Sequence, residues 1–189
     1  GTLPRWRSLW TELPELNCLR ARTLLGKTGE SVPMGTAQPA ITAGIAEAGD
    51  GAYLLHGKAG AGKTALLAQL QQQLTGERVE VFLCAADDVL QEELAELIWS
   101  LRFRRALLRL RNPSARLWVM IDALDEAEPA LRKSWAQQMA QLAIHPGITV
   151  IATIREAVWR SDGVTRSHLG HWKIVPLEDW PEDLVRKLV

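Results

Sequence analysis

The sequence predicts an α/β domain in which a doubly wound, mainly parallel sheet is covered by helices on both faces. Two observations lead there. From residue 52 onward, short apolar runs alternate with longer segments of helical periodicity, the pattern of successive βαβ units. The runs Leu117-Trp118-Val119-Met120-Ile121 and Ile148-Thr149-Val150-Ile151-Ala152-Thr153 are nearly continuous in apolar character rather than alternating, as strands buried on both faces must be. At 189 residues, 47% hydrophobic and 23% charged, the chain has the size and composition of one ordinary globular core.

The elements follow in order. Residues 1–50 are the least patterned: a Trp-, Arg- and Leu-rich stretch leads into Gly29–Pro39, whose Gly, Ser, Pro and Thr content reads as a loop or linker. Ile41–Ala48 is expected to form a short helix stopped by Gly49-Asp50-Gly51. Strand, helix, strand and helix then follow at Ala52–His56, Thr64–Leu74, Val79–Cys84 and Val89 to about Leu110, the last rich in Leu, Glu and Arg. Leu117–Ile121 is the most apolar strand. Pro129 opens a helix that runs to Leu142, since its fixed φ and missing N–H suit a first helical turn. Ile148–Thr153 and Lys173–Leu177 complete the strands, and Trp180–Val189 resembles the first turns of an amphipathic helix, as in a chain that continues further. Trp99, Trp118 and Trp135 fall at positions expected to face the core.

Charge and cysteine content exclude several functions. Lys plus Arg and Asp plus Glu both number 22, so no global positive field exists to hold nucleic acid or an anionic membrane. Arg102, Arg105 and Arg109 share a helical face with Arg104 and Arg111 nearby, a local patch for a phosphate backbone or an acidic partner. The plainer reading is a solvated helix end that complements the helix dipole. Cys18 and Cys84 lack CxxC spacing, which disfavours a disulfide framework or a cysteine zinc site and points to a reducing, cytoplasmic setting. No apolar run reaches membrane-spanning length. His168 and His171 have no companion ligands nearby and read as surface histidines in a polar loop.

The chemistry concentrates in Gly57-Lys58-Ala59-Gly60-Ala61-Gly62-Lys63-Thr64, a G-x-x-x-x-G-K-[ST] loop directly after one predicted strand and before a helix that continues through Ala65. Gly57, Gly60 and Gly62 allow successive backbone N–H groups to turn around an anion, and the helix adds its positive end. Lys63 is expected to neutralise β and γ phosphates, and the Thr64 hydroxyl to bind Mg²⁺. A second Gly-Lys-Thr, at Gly26-Lys27-Thr28, fails the pattern because Ala21 stands where glycine is required. Asp122, after five apolar residues, is placed to order the metal's water shell. Just beyond it, Asp125 and Glu126 offer a base for the attacking water, Glu126 first and Asp125 second. Alternatively the two acids only complement the dipole of the next helix.

Taken with the phosphate loop, the segment Ile121-Asp122-Ala123-Leu124-Asp125-Glu126-Ala127 resembles the NACHT group of the STAND class, signal-transduction P-loop ATPases related to AAA+ proteins and to NOD-like receptors. In that group a tiny residue, here Ala123, follows the metal-binding Asp, and an acidic pair, here Asp125-Glu126, comes two positions later. Ile148 to Arg155 resembles the family's sensor 1 strand, which implies that Thr153 and Arg155 read the γ phosphate. Leu24-Leu25-Gly26-Lys27 resembles, with lysine in place of arginine, the hydrophobic-Gly-Arg motif that holds adenine in related proteins.

The resemblance implies an N-terminal helical or linker segment over 1–50, a P-loop NTPase domain over 51–178, and the start of a helical segment over 179–189. It further implies ATP or ADP with Mg²⁺ as ligands, slow hydrolysis, and service as the switch that controls oligomerisation of a larger immune or antiphage signalling protein. Self-association through segments beyond the chain and coupling to fused sensor and effector domains follow from the same likeness. No [NT]KxD motif for guanine is present. Rival readings are an AAA+-type ATPase acting on nucleic acid and a non-catalytic scaffold that keeps ADP as a structural ligand.

Overall fold

The computed structural model describes residues 37–48, 51–74 and 79–178. Cys18, the Gly26-Lys27-Thr28 segment, most of the proposed linker and the helix expected over 180–189 lie outside them. Among the described residues five strands, β1 (Ala52–Gly57), β2 (Val79–Ala85), β3 (Arg116–Asp122), β4 (Ile148–Arg155) and β5 (Lys173–Pro176), form one sheet in the order β2-β3-β4-β1-β5. Every pairing is parallel. Six helices among the same residues connect or flank them: α1 (Ala37–Ala48), α2 (Lys63–Gln73), α3 (Gln91–Arg111), α4 (Pro129–Leu142), α5 (Glu156–Ser161) and α6 (Gly163–Leu169).

Strand side chains alternate between two faces, and both are covered. On one face Phe82, Cys84, Val119, Ile121, Val150 and Ala152 pack against Leu94, Leu97 and Leu101 of α3 and Trp135 and Met139 of α4. On the other, Tyr53, Leu55, Leu83, Trp118, Met120 and Ile151 meet Leu66, Leu67 and Leu70 of α2 and Ile45 of α1. This is the doubly wound architecture that the unbroken apolar runs required. The indole N–H of Trp135 donates to the carbonyl of Ala86 at 2.9 Å, so the largest buried ring of α4 carries no orphan donor.

Some expectations are corrected. Helix α1 starts at Ala37 rather than Ile41, with Pro39 in its first turn, a position that needs no proline N–H. Strand β4 extends two residues past Thr153, to Arg155. Residues 156–169, with no apolar period to announce them, form α5 and α6, so His168 sits on a helix rather than in a loop. Trp99 is not in the core. It is 63% exposed and stacks on Phe103, because the inward side of α3 belongs to Leu94, Leu97, Ile98 and Leu101.

The arginine face is also interrupted. Arg104 pairs with Glu80 at 2.6 Å. Arg105 is buried, and its Nε donates to the carbonyl of Gly147 at 3.1 Å. Burial lowers its pKa, and Arg109 and Arg116 lower it further. Gly147 has φ 77°, and a Cβ there would lie 2.1 Å from the Arg105 guanidinium. Gly147→Ala should therefore destabilise the domain by about 2 kcal/mol or more, combining left-handed backbone strain with displacement of a buried cation. Urea unfolding monitored by tryptophan fluorescence measures this, and the exposed Gly163→Ala, whose added methyl meets nothing, serves as the comparison.

Candidate functional site

The carboxyl ends of β1, β3 and β4 meet where the chain order reverses, the usual location of ligand sites in open α/β sheets. Strand β4 lies between β1 and β3, with Leu55 beside Thr153 and Ile121 beside Ala152. Residues that follow β1 therefore face the ends of both other strands.

The loop after β1 is tightly built. A Cβ on Gly57 would lie 3.0 Å from the carbonyl oxygen of Leu177 and 3.1 Å from Cβ of Ala61, so only glycine passes this point without displacing its neighbours. The Leu177 N–H donates to the His56 carbonyl at 2.7 Å, which fastens the end of β5 against the loop's entrance. Gly60 and Gly62 have φ 79° and 82°, and Gly62 directly precedes α2. These left-handed turns bring the loop round to the helix N-terminus, a combination suited to anions. The Lys63 ammonium donates to the carbonyls of Gly57 and Lys58 at 3.1 and 2.7 Å, placing its charge inside the loop. Burial lowers the Lys63 pKa, Asp125 and Asp122 oppose this, and Arg155 adds to it. All four charged groups thus share one field. Desolvation likewise lowers the pKa of His56 at the loop's base.

Asp122, at the end of β3, accepts from two threonines: Thr64 Oγ1 donates to Oδ2 at 2.8 Å and Thr153 Oγ1 to Oδ1 at 2.6 Å. Thr153 is fully buried and accepts in turn from the Ala123 N–H at 2.8 Å. Sequence reasoning gave Thr153 to the phosphate; the structure places its hydroxyl on the carboxylate. Thr64 and Asp122, both expected at the metal, are in contact.

Ala123 is the one non-glycine with positive φ among the described residues, at φ 56° and ψ 55°. Its left-handed turn sends the chain into a short 3₁₀ turn over Leu124–Glu126 that brings the acidic pair back beside β4. Here the two acids part company. The Asp125 side chain is 4% exposed, with Oδ2 2.9 Å from Arg155 Nε and Oδ1 accepting the Arg155 N–H at 2.9 Å. Glu126 is 51% exposed and lies 3.8 Å from Arg155 Nη2. Arg155, expected to face phosphate, is thus engaged with both acids.

Arg132 was not anticipated. From α4 its Nη1 donates to the carbonyls of Asp125 and Ala127 at 3.4 and 3.2 Å, while Nε bonds Asp162 Oδ2 at 2.6 Å. Asp162 also caps α6 through the N–H groups of Val164 and Thr165 and the Thr165 hydroxyl. Nothing in the local sequence distinguishes Arg132 from a surface arginine. His168 and His171 line a shallow cleft with Gln137 and Gln141, and no group of three metal-ligating side chains occurs among the described residues.

Comparisons with known proteins agree with the fold. The family model described as "AAA domain" matches residues 33–151. No curated protein matches the sequence. Among solved structures, the Aeropyrum pernix ORC1 protein in complex with DNA is similar at 15% identity and TM-score 0.55, over 85% of this chain and 50% of that one. Domain III of the Thermotoga maritima replication initiation protein DnaA is similar at 17% identity and TM-score 0.53, over 82% and 67%. C. elegans PCH-2 matches at 12% identity and TM-score 0.49, over 97% of this chain and 45% of that one. The chain spans about half the length of PCH-2 and of ORC1.

Two outcomes follow from the turn beyond β3. Ala123→Val should destabilise the domain by on the order of 1 to 2 kcal/mol, since a β-branched residue resists the left-handed region, whereas Ala123→Gly should be tolerated; denaturant midpoints compare the two. Asp162 supplies a pH signature. Burial raises its pKa, but hydrogen bonds from Thr165 and the nearby Arg132 cation outweigh this and leave it below the ordinary carboxylate value. The stability it contributes is complete above an unfolded pKa of about 4 and is lost as pH falls through the lower folded value. Thermal melts of Asp162→Asn from neutral to acid pH should fall less steeply than those of the wild type.

Proposed function

The chain belongs to the AAA domain family, and on that premise we propose that it binds ATP with Mg²⁺ and hydrolyses it slowly, as the nucleotide switch of a larger NACHT-like STAND signalling protein. The observation that carries the ATPase reading is the convergence of Thr64 and Thr153 on Asp122, with Asp125 and Glu126 both against Arg155 at the end of the neighbouring strand.

The residues present suit the ligand. The loop offers backbone N–H donors, the α2 N-terminus and one ammonium group, a donor set for a polyphosphate. Thr64 Oγ1 and the Asp122 carboxylate are hard oxygen ligands of the kind Mg²⁺ takes, usually with retained waters and substrate phosphates. Bound Mg²⁺ would supply neutralisation of charge on the phosphate oxygens. Lys63 adds a second positive charge from within the loop. Thr153 holds the Asp122 carboxylate in orientation.

Glu126 is the base in this reading, because its carboxylate is half exposed and less fully engaged than that of Asp125. It takes the proton from the attacking water as that water's oxygen bonds to the γ phosphorus and the bond from phosphorus to the bridging oxygen breaks, so that ADP leaves with the electron pair and inorganic phosphate is released. Asp125 acts through Arg155, fixing the guanidinium beside Glu126. Arg155, itself 52% exposed, contributes positive charge at the same edge of the site.

The STAND assignment rests on Asp122-Ala123-Leu124-Asp125-Glu126, and the left-handed Ala123 supplies a physical reason for a small residue there. The immune or antiphage role, the sensor and effector partners and assembly through segments outside the chain belong to the same proposal. A nucleic-acid function is the weaker alternative. Likeness to ORC1 and DnaA at 15% and 17% identity concerns the fold, and the arginine face such a role would use is broken by buried Arg105 and paired Arg104.

Lys63→Ala should weaken Mg-ATP binding about tenfold or more, since a charge-assisted hydrogen bond contributes roughly 1.5 to 3 kcal/mol; calorimetry measures it, and unchanged affinity removes the phosphate-loop assignment. Glu126→Gln should bind ATP normally and release no phosphate under single-turnover conditions. Turnover that survives there but disappears in Asp125→Asn would transfer the base to Asp125.

A further inference from the structure

The residues on either side of Glu126 are held by one side chain. Arg132 Nη1 donates to the carbonyls of Asp125 and Ala127 at 3.4 and 3.2 Å. Within the turn, the Glu126 N–H donates to the Ala123 carbonyl at 3.0 Å and the Ala127 N–H to that of Leu124 at 3.3 Å. The backbone around Glu126 is therefore pinned, while its carboxylate stays half exposed.

The pin has a firm base. Arg132 lies one turn ahead of Trp135 and Ala136, which bury α4 in the core. On its other side the guanidinium Nε bonds Asp162 Oδ2 at 2.6 Å, and the two side chains are only 13% and 17% exposed. Asp162 is itself fixed, because its Oδ1 accepts the N–H groups of Val164 and Thr165 and its Oδ2 the Thr165 hydroxyl. A guanidinium suits this place, since its rigid fork donates in two directions at once, whereas an ammonium on a flexible stem is a single point of charge. Among the described residues its partners all lie in the acidic turn or at the α6 cap, none in the phosphate loop.

We infer that Arg132 is a positioning residue for hydrolysis: it sets where the Glu126 carboxylate meets the attacking water and leaves nucleotide affinity to the phosphate loop. The inference rests on the reading of Glu126 as the base.

Single-turnover phosphate release and calorimetry, run side by side, test it. Arg132→Gln is too short to hold both the turn and Asp162, and it should hydrolyse ATP about a hundredfold more slowly, the usual order of loss when a reacting group is misplaced by about 1 Å. Its affinity for Mg-ATP should match that of the wild type. Arg132→Lys should recover part of the rate, because the ammonium reaches one set of partners and not both. Hydrogen exchange adds a readout that does not depend on activity. In Arg132→Gln the Glu126 and Ala127 amides should exchange about tenfold faster, and the Leu66 amide of α2 should be unchanged. Lys133→Gln, on the exposed side of the same helix, should alter neither rate nor exchange. Wild-type turnover in Arg132→Gln, a loss of affinity equal to the loss of rate, or exchange that rises throughout the domain overturns the proposal. Failure of the underlying reading looks different: a wild type that releases no phosphate removes Glu126 as base, and the two turn amides still decide whether Arg132 holds the turn.

Discussion

Both oxygens of the Asp122 carboxylate are taken by threonine hydroxyls, and this pair of hydrogen bonds fixes the relation among three separate chain segments. Thr64 belongs to the first turn of α2, Asp122 to the end of β3 and Thr153 to β4. Strand pairing alone would set β3 and β4 in register but leave the phosphate loop free to shift against them. Charge-assisted hydrogen bonds are about twice as strong as neutral ones, so a carboxylate bridged in this way resists such a shift. Thr153 also accepts from the Ala123 N–H. The same hydroxyl thereby anchors the start of the turn that carries the acidic pair.

The rest of the architecture keeps that bridge in place. With helices on both faces, each central strand is locked by packing from above and below, and only the carboxyl ends remain open to polar chemistry. The strand order places β4 between the loop-bearing β1 and the acid-bearing β3. A buried threonine on β4 can therefore meet the Asp122 carboxylate across the gap, a role no residue on β1 or β3 could fill from within its own strand. Ala123 completes the arrangement at a cost of about 1 to 2 kcal/mol in left-handed backbone, returning Asp125 and Glu126 to the open edge.

The parts legible in the sequence were those governed by local rules. Five-residue apolar runs can only be buried strands here, and glycines at 57, 60 and 62 ahead of Lys63-Thr64 announce a loop shaped by backbone conformation. Asp122 was legible because a carboxylate that ends an apolar strand sits at the sheet's rim, where it must meet a hydrogen-bond donor or a cation. What stayed hidden depends on contacts distant in sequence. Arg105 looked solvated until Gly147, 42 positions away, proved to be its acceptor. Trp99 looked buried because aromatic residues usually are, yet the opposite side of the same helix had filled the core. The bond from Thr153 to Asp122 stayed hidden because a strand-end hydroxyl gives no hint of which neighbour it will face. Helices α5 and α6 are too short to show a period, and α6 begins where Asp162 caps it.

Arg132 spans the acidic turn and the α6 cap, bonding the backbone of Asp125 and Ala127 on one side and the Asp162 carboxylate on the other. Positions 132 and 162 are consequently one unit for mutation, although they belong to different elements, whereas at 125 and 127 only backbone carbonyls are held. Damage at either side chain loosens the same strut, so the second substitution removes less than the first, and their effects fall short of additivity. A lesion at Asp162, well outside the phosphate loop, would then be felt in the turn that carries the acidic pair as well as around α6.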